Sequence, residues 1–524
     1  MHRCMLSLAR QSSRWSRSHS TLAENASGDP RWFGWQVVVG IEAHAQIKSR
    51  KKLFSDSWTN DPPQPPSTRV SAFDASFPGT LPRLNSTCVA LGVRTALALN
   101  SNVQRRSTFD RKHYFYKDLP AGYQITQHYA PISLGGYLML ANCMRKVGIK
   151  QIQLEQDTGK STFDVHLGKS SIDLNRAGTA LLEIVSDPDM SSPEEAGEYV
   201  RTLQAVLRSV AASDGNMEQG SLRCDVNVSI NKKGEPAGTR CEIKNLNSVK
   251  NMQVAIASEV FRHIEILTSG QEVKQETRGF DEEKAETFSL RSKEDAPDYR
   301  YMPDPNIPPL LLTESYIDKI RSSMPELPDA TRERLLAQGL SAQDTGVLMT
   351  ADAGREVGMD GTFGQGGVVA YFDAVSEGRD PKIVVNWIVQ VLFGQLAARS
   401  QTFTENQIMA AQLGSLIDMV QSGVITGSSG KLILRLMLDN PSSKTPEELA
   451  KEHSLIALDK GDSSMEAWCR EVIGSNPEVA DAIRAGNVNV VNKLVGRVMK
   501  KSRGTADALS VRKLLLEIIA AKGA

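Results

Sequence analysis

Between Arg223 and Ile230, apolar and polar residues alternate without a break: Cys224, Val226, Val228 and Ile230 interleave with Arg223, Asp225, Asn227 and Ser229. A period of two belongs to a strand with one buried face, because successive side chains of extended backbone point to opposite sides. The run Asn231-Lys232-Lys233-Gly234-Glu235-Pro236-Ala237-Gly238 reads as a turn. Thr239 to Lys244 then returns with Cys241 and Ile243 on one face and Arg240, Glu242 and Lys244 on the other. The pair predicts a hairpin with Arg223, Asp225, Asn227, Arg240, Glu242 and Lys244 on one side. Such a face is either a solvated surface with cross-strand ion pairs or a phosphate and metal site. The Gly-rich approach from Asp214 to Gly220 favours the second, since it adds Asp214 and Glu218 on backbone able to come close to a ligand.

Other acidic positions fit the same chemistry. Val37 to Ile47 reads as a strand with Glu42 and His44 on one face, although His is a less usual partner for Mg²⁺ than oxygen ligands. Gly159-Lys160-Ser161 is the tail of a P-loop, but Leu154 stands where the loop requires its first Gly, so Glu155 and Asp157 read instead as ligands two apart on a strand. Glu183 lies inside the apolar strand Leu181 to Val185, and burying it unpaired is costly, so it should meet a cation. From Phe109 to Tyr116, Arg111 and Lys112 stand among aromatics, a pattern for gripping phosphate or stacking on RNA, or for a packed aromatic strand.

Met217-Glu218-Gln219-Gly220-Ser221-Leu222-Arg223-Cys224-Asp225, with C-E-I-K-N-L-N-S beyond it, resembles the B subunits of glutamyl-tRNA(Gln) amidotransferases. V-G-I-E-A-H-A-Q-I-K from Val39, F-D-R-K-H-Y-F-Y-K-D-L-P-A-G-Y-Q from Phe109, D-L-N-R-A-G-T-A-L-L-E-I-V-S-D-P-D-M from Asp173 and D-Y-R-Y-M-P-D-P-N-I-P-P-L from Asp298 extend the resemblance to Leu310. It implies an α+β fold: a cradle-like N-terminal domain with an antiparallel sheet, an all-helical middle domain and an all-helical tail domain. It implies conversion of Glu-tRNA(Gln) to Gln-tRNA(Gln), with ATP and Mg²⁺ as cofactors. Ammonia would come from a partner amidase, the A subunit, with a small C subunit or its equivalent completing a heterotrimer. Carried onto this chain, the catalytic residues are Lys112, Arg223, Asp225, Glu242 and Lys244. The metal ligands are Glu42, His44, Glu155, Glu183 and Glu218. Lys493, Arg497, Lys500, Lys501 and Arg503 would bind tRNA; on charge alone this basic run is a solvated helix face.

The chain also departs from that pattern. The family's L-P-K-G-Y-Q has Ala121 for its Lys, and its H-x-E-E-D-x-G-K has Gln153 for the His and Gln156 for the second Glu, so Ala121 and Gln156 are expected to face each other. Where many bacterial relatives carry C-x-C and C-x-x-C, this chain has Ser55-Asp56-Ser57 and Ser71-Ala72-Phe73-Asp74, so no zinc site is expected. Six scattered cysteines suggest neither a disulfide framework nor a zinc site. Two alternatives remain, a non-catalytic tRNA-binding scaffold and a free-standing ATP-dependent ammonia ligase. The acidic residues at motif positions oppose the first, and the lack of a recognisable ATP-grasp or P-loop opposes the second.

Charge is balanced, with 61 basic and 61 acidic residues, which argues against a DNA-coating protein. Residues 1–28 read as a mitochondrial transit peptide: the first 23 contain no Asp or Glu but carry Arg3, Arg10, Arg14 and Arg17, so a matrix location is expected. The most apolar stretch, Ile383 to Ala398, is interrupted by Asn386 and Gln390, so no membrane insertion is expected. The domains expected are 29–325 for the cradle, 326–403 for the helical middle and 404–524 for the tail. Helices are expected at Cys88 to Asn100, Ser192 to Ala212 and Ser248 to Ser269. The polar, Pro-rich stretch from Gln275 to Leu310 reads as an exit from the first domain, and Gly358 to Gly367 as an unstructured insertion.

Overall fold

The structure is a computed structural model that describes residues 29–292, 298–363, 366–440, 444–457, 463–484, 487–502 and 504–521. The expected leader and Arg503 lie outside the described residues.

Strand β1 (Trp35–Gln46) runs through the middle of a large sheet. The strands that matter for function are, in chain order, β2 (Asp110–His113), β3 (Tyr123–Thr126), β4 (Arg145–Gln156), β5 (Ala180–Ser186), β6 (Leu222–Lys232), β7 (Cys241–Leu246), β8 (Glu276–Asp281) and β9 (Glu286–Ser292). The order across the sheet is β9-β8-β7-β6-β1-β5-β4, followed by two short strands. All these neighbours are antiparallel except β7 and β8. Strands β2 and β3 form a smaller sheet, completed by Met302–Pro303 returning along β2. The stretch expected to leave the first domain therefore turns back into it and supplies β8 and β9 as well.

The alternation read from sequence separates the two faces of the large sheet. Ile41, Ala43, Ile184, Leu182, Cys224, Val226, Val228 and Leu154 are buried beneath three helices. These are α1 (Ser86–Ala98), α2 (Pro193–Ser209) and α3 (Val249–Thr268). Each begins at a side chain that caps the free N–H groups of its first turn: Asn85 accepts from Thr87 N, Ser192 from Glu195 N and Ser248 from Asn251 N. Gly92 of α1 permits close packing, since a Cβ there would lie 3.4 Å from both Ile132 and Leu154.

The expected helical boundary at 403/404 is not where the packing divides. One apolar core joins Leu335, Phe372, Val384 and Ile388 to Leu413, Leu416, Ile433 and Leu455. A separate core joins Cys469, Leu494, Val498, Leu515 and Ile519. The tail unit thus begins after Ala457, because the helices from Ala410 to Glu452 bury their apolar faces against the middle domain. The Gly-rich segment is also ordered on its first side: Asp360 N donates to Lys48 O at 2.8 Å and Asp360 Oδ1 accepts from Arg50 N at 2.9 Å, clasping the cradle. Residues 364–365 lie outside the described residues.

Around the serines where thiolates were not expected, Asp74 accepts from Ser55 Oγ at 3.0 Å and from Ser71 N at 2.9 Å. Its charge is met by Lys52 Nζ at 3.1 Å, with both side chains at most 1% exposed. Lys52 also donates to Arg69 O at 2.6 Å. A buried ion pair therefore joins these loops.

Candidate functional site

Strand register assembles the site. Gly40, Glu42 and His44 of β1 oppose Asn227, Asp225 and Arg223 of β6. On the other side, Glu42 and His44 oppose Val185 and Glu183 of β5, and Glu183 opposes Gln153 of β4. Directly opposed residues share a face, so the polar positions predicted on separate strands meet above one surface. The pairing of β6 with β7 shifts between Cys224–Leu246 and Val226–Ile243, with the extra residue on β7. Lys244 of β7 is in contact with Asp225 there and lies 3.0 Å from Glu242 Oε1.

This surface floors a cleft of about 770 Å³ lined by Glu42, His44, Glu183, Asp225, Glu242, Lys244 and Lys112, among others. His44 Nε2 is 3.3 Å from Glu42 Oε1 and 3.9 Å from Glu183 Oε2. Gln153 Nε2 donates to Glu183 Oε2 at 2.5 Å. Glu155 lies beneath, 2% exposed, with Oε1 accepting from Gln124 Nε2 at 3.1 Å. Among the described residues its other oxygen has no hydrogen-bond partner, and Lys112 Nζ stands 3.8 Å from it.

Close carboxylates in a low-dielectric site cannot all ionise freely. Burial pushes Glu183 up, and the Glu155 charge adds to the shift. Burial also opposes ionisation of Glu42, but the His44 hydrogen bond and charge outweigh it and hold Glu42 well below the usual range. Burial disfavours the His44 imidazolium, yet Glu42, Glu183 and Glu155 raise it to about 9. Lys112 and Lys244 resist deprotonation despite burial, held by Glu155 and Glu183 in one case and by Asp225 and Glu242 in the other.

The residues fit a divalent cation, which would take the place of the proton that the surrounding carboxylates hold on His44. One ligand atom each from Glu42, His44 and Glu183 lies within 4.8 Å of the others, and the unpartnered Glu155 oxygen is the sort of buried acceptor that a cation or its bound water satisfies. A cation would also relieve the repulsion that raises Glu183. Cys241, Glu259 and His263 form a second group of that spacing, but its carboxylate is already taken: Arg262 NH2 lies 2.6 Å and Arg278 Nε 3.0 Å from Glu259, and Thr287 Oγ1 donates at 2.7 Å. Two guanidinium charges there exclude a metal.

Three acidic or basic positions read from sequence lie elsewhere. Glu218 is exposed on the turn before β6 and does not line the cleft, because the chain has not yet entered the strand. Arg223 points toward Asp157, NH2 to Oδ2 2.8 Å, and is absent from the lining. Asp157 is not a cleft ligand either: β4 ends at Gln156, and the Asp157 carboxylate is paired with Arg223 and, at 3.6 Å, Arg176. In the tail, Lys493, Arg497 and Lys500 are exposed on the helix Val491–Lys501, opposite buried Val491, Leu494 and Val498. Lys501 is in contact with Glu471.

Sequence reasoning missed an aromatic wall. His128, Tyr299 and Tyr301 line the cleft, the tyrosines brought there by the segment returning along β2. Their alternation around Arg300 was the available signal. Gln153, seen only as a departure from the family, holds Glu183.

Fold and site define the class: a sheet-based enzyme component with a carboxylate- and cation-lined cleft and appended helical units. The family description "GatB/GatE catalytic domain" matches residues 37–318, and "GatB domain" matches 370–519. The mitochondrial glutamyl-tRNA(Gln) amidotransferase B subunit of Laccaria bicolor is 55% identical over 520 residues, 94% of each chain. The protein of the same name from Cryptococcus neoformans is 45% identical, covering 97% of this chain and 96% of that one. The aspartyl/glutamyl-tRNA(Asn/Gln) amidotransferase B subunit of Paramagnetospirillum magneticum is 44% identical, covering 92% and 96%. The chain belongs to the family of tRNA-dependent amidotransferase B subunits.

Proposed function

We propose that this chain converts glutamate esterified to tRNA(Gln) into glutamine in mitochondria, as the phosphorylating member of an amidotransferase complex. The observation that carries this reading is the register that brings Glu42, His44 and Glu183 together on one sheet face with Lys244 across the cleft floor. A carboxylate must gain a leaving group before an amine can displace its oxygen. The glutamyl γ-carboxylate oxygen attacks the γ-phosphorus of ATP and ADP departs; ammonia then attacks the acyl carbon, phosphate leaves and the nitrogen gives up a proton.

Lys244 is poised to meet charge on the transferring oxygens, because Asp225 and Glu242 fix its ammonium and keep it protonated. Lys112 supplies positive charge on the opposite wall. Glu42, His44 and Glu183 would hold Mg²⁺, which when bound neutralises phosphate charge. Gln153 fixes the Glu183 carboxylate and Gln124 fixes Glu155. The basic face at Lys493, Arg497 and Lys500 suits the tRNA backbone. Ammonia would come from a partner amidase, the A subunit, with a small C subunit or its equivalent completing the complex.

The test supplies misacylated tRNA, ATP and ammonium chloride to the chain alone and with candidate partners, and measures phosphoryl-glutamyl-tRNA and Gln-tRNA. Formation of both supports the reading. Binding of tRNA with neither product favours a scaffold, and amidation of free glutamate favours a ligase.

A further inference from the structure

The aromatic wall has no part in the chemistry above. His128 and Tyr301 stack with ring centroids 3.8 Å apart and planes 6° from parallel. Tyr129 meets His128 edge-on at 4.9 Å, and Tyr299 meets Tyr301 at 5.9 Å. These rings come from two distant segments, the loop after β3 and the strand returning along β2. The return is pinned where His113 N donates to Tyr299 O at 2.8 Å. Between the tyrosines, Arg300 adopts φ 42°, a conformation uncommon for a residue with a side chain. Rings gathered to fill a core would be buried, but here His128 is exposed and Tyr129 is 63% exposed.

We propose that this shelf stacks the terminal purine base of the tRNA acceptor end and so sets how far the aminoacyl group reaches toward Glu183 and Lys244. The inference rests on the tRNA-dependent reading above. Aromatic faces bind bases by stacking, and the wall adjoins the reaction site through Lys112, whose ammonium lies 5.1 Å from the Tyr299 ring centroid and 3.8 Å from Glu155.

Charge separates the two purines that the reaction brings together. Arg240 and Arg291 gather at the β7–β9 side of the cleft beside Lys244, which Asp225 and Glu242 already oppose, and the two arginines suit a triphosphate. The shelf lies toward β4, about four strand spacings of ~4.8 Å from β7. The lysines on that side are Lys112, already opposed by Glu155, and exposed Lys150. Such a wall suits a nucleoside bearing one phosphodiester.

The test uses the reconstituted amidotransferase with ammonium as nitrogen donor. In His128→Ala and Tyr301→Leu, KM for Glu-tRNA(Gln) should rise about tenfold, within the range for loss of one base stack, while KM for ATP stays unchanged. His128→Phe and Tyr301→Phe should restore the tRNA KM. Binding of uncharged tRNA tests the shelf without catalysis: removing the terminal adenosine should weaken wild-type binding about tenfold and leave the affinity of His128→Ala unaltered. A rise in the ATP KM alone would give the shelf to ATP and overturn the proposal. So would equal discrimination by wild type and His128→Ala, or failure of the Phe variants to recover. If the complex forms no Gln-tRNA while the binding difference persists, the functional reading fails and the shelf stands.

Discussion

Gln153 on β4 and Glu183 on β5 oppose each other in register, and the amide of the first donates to the carboxylate of the second at 2.5 Å. The amide is itself fixed: Gln151 Nε2 donates to its oxygen at 2.6 Å, and its nitrogen also donates to Thr126 Oγ1 at 3.1 Å. Glu183 is thus held in place on a floor whose other charges are within reach. Glu183→Gln keeps the shape and removes the ionisable carboxyl that a bound cation would draw into its charged form. ATP-dependent phosphorylation should fall about a hundredfold, the scale for losing one electrostatic group at a reacting centre, with tRNA affinity nearly intact. Parallel loss of both would assign Glu183 to folding.

Cutting the chain at Thr404 would strip Leu413, Leu416 and Ile433 from the core they share with Phe372 and Ile388. A chain ending at Ala457 leaves that core whole. It should bind tRNA more weakly, and its log-log salt slope should fall by nearly one unit for each phosphate that the tail no longer neutralises. Turnover at saturating tRNA should change less than affinity. Filter binding across a salt series checks this, and an unchanged slope would remove the tail from the RNA interface.

Period-two alternation carries the face of a side chain but not its reach, and that sets what was legible. Cys224 to Ile230 showed which side of β6 is buried, and the polar set above β1, β5 and β6 followed. The same alternation could not show that Arg223 bends toward Asp157, or that β4 stops one residue short of Asp157. Strands β8 and β9 were hidden because Glu276-Thr277-Arg278-Gly279-Phe280-Asp281 and Glu286-Thr287-Phe288-Ser289 carry too few apolar residues to betray a buried face. The middle and tail of the chain read as helical only as whole domains. Which helix buries its stripe against which is a tertiary choice, and the boundary at 403/404 missed it.

Ala121 and Gln156 line one cavity of about 240 Å³, together with Asp118, Tyr123 and Asp157. Gln156 Oε1 is buried there with no hydrogen-bond partner among the described residues. Ala121 is exposed, so an ammonium brought in by Ala121→Lys would face an uncharged Gln156 amide without full burial, with Asp118 and Asp157 the carboxylates that line the same cavity. Should ammonia reach the acyl phosphate through this cavity, Ala121→Lys impairs glutamine-driven turnover more than ammonium-driven turnover. Adding Gln156→Glu should recover part of the loss. Equal impairment of both activities would take the cavity off that path.

Glu259 joins α3 to β8 and β9 through Arg262, Arg278 and Thr287. Burial opposes its ionisation, but hydrogen bonds from His263, Arg262 and Thr287 outweigh it and depress the carboxyl below its ordinary value. A depressed folded-state value means that the stabilisation is complete above the unfolded value of about 4.3 and fades as pH falls toward the folded one. Glu259→Gln leaves Glu276 as the remaining carboxylate for both Arg262 and Arg278 and should cost about 1 to 3 kcal/mol at neutral pH, with the deficit shrinking on acidification below pH ~4. Thermal unfolding at several pH values measures it, and a pH-independent deficit would assign the loss to packing.

The most direct measurement is transfer of label from γ-labelled ATP to Glu-tRNA(Gln) in the assembled complex without glutamine or ammonia. Label should appear on the glutamyl group, leave as phosphate when ammonium is added, and fall about a hundredfold in Lys244→Met while tRNA stays bound. Label that never reaches the glutamyl group in the wild-type complex, or transfer undiminished in Lys244→Met, would contradict a phosphorylating centre on this sheet face.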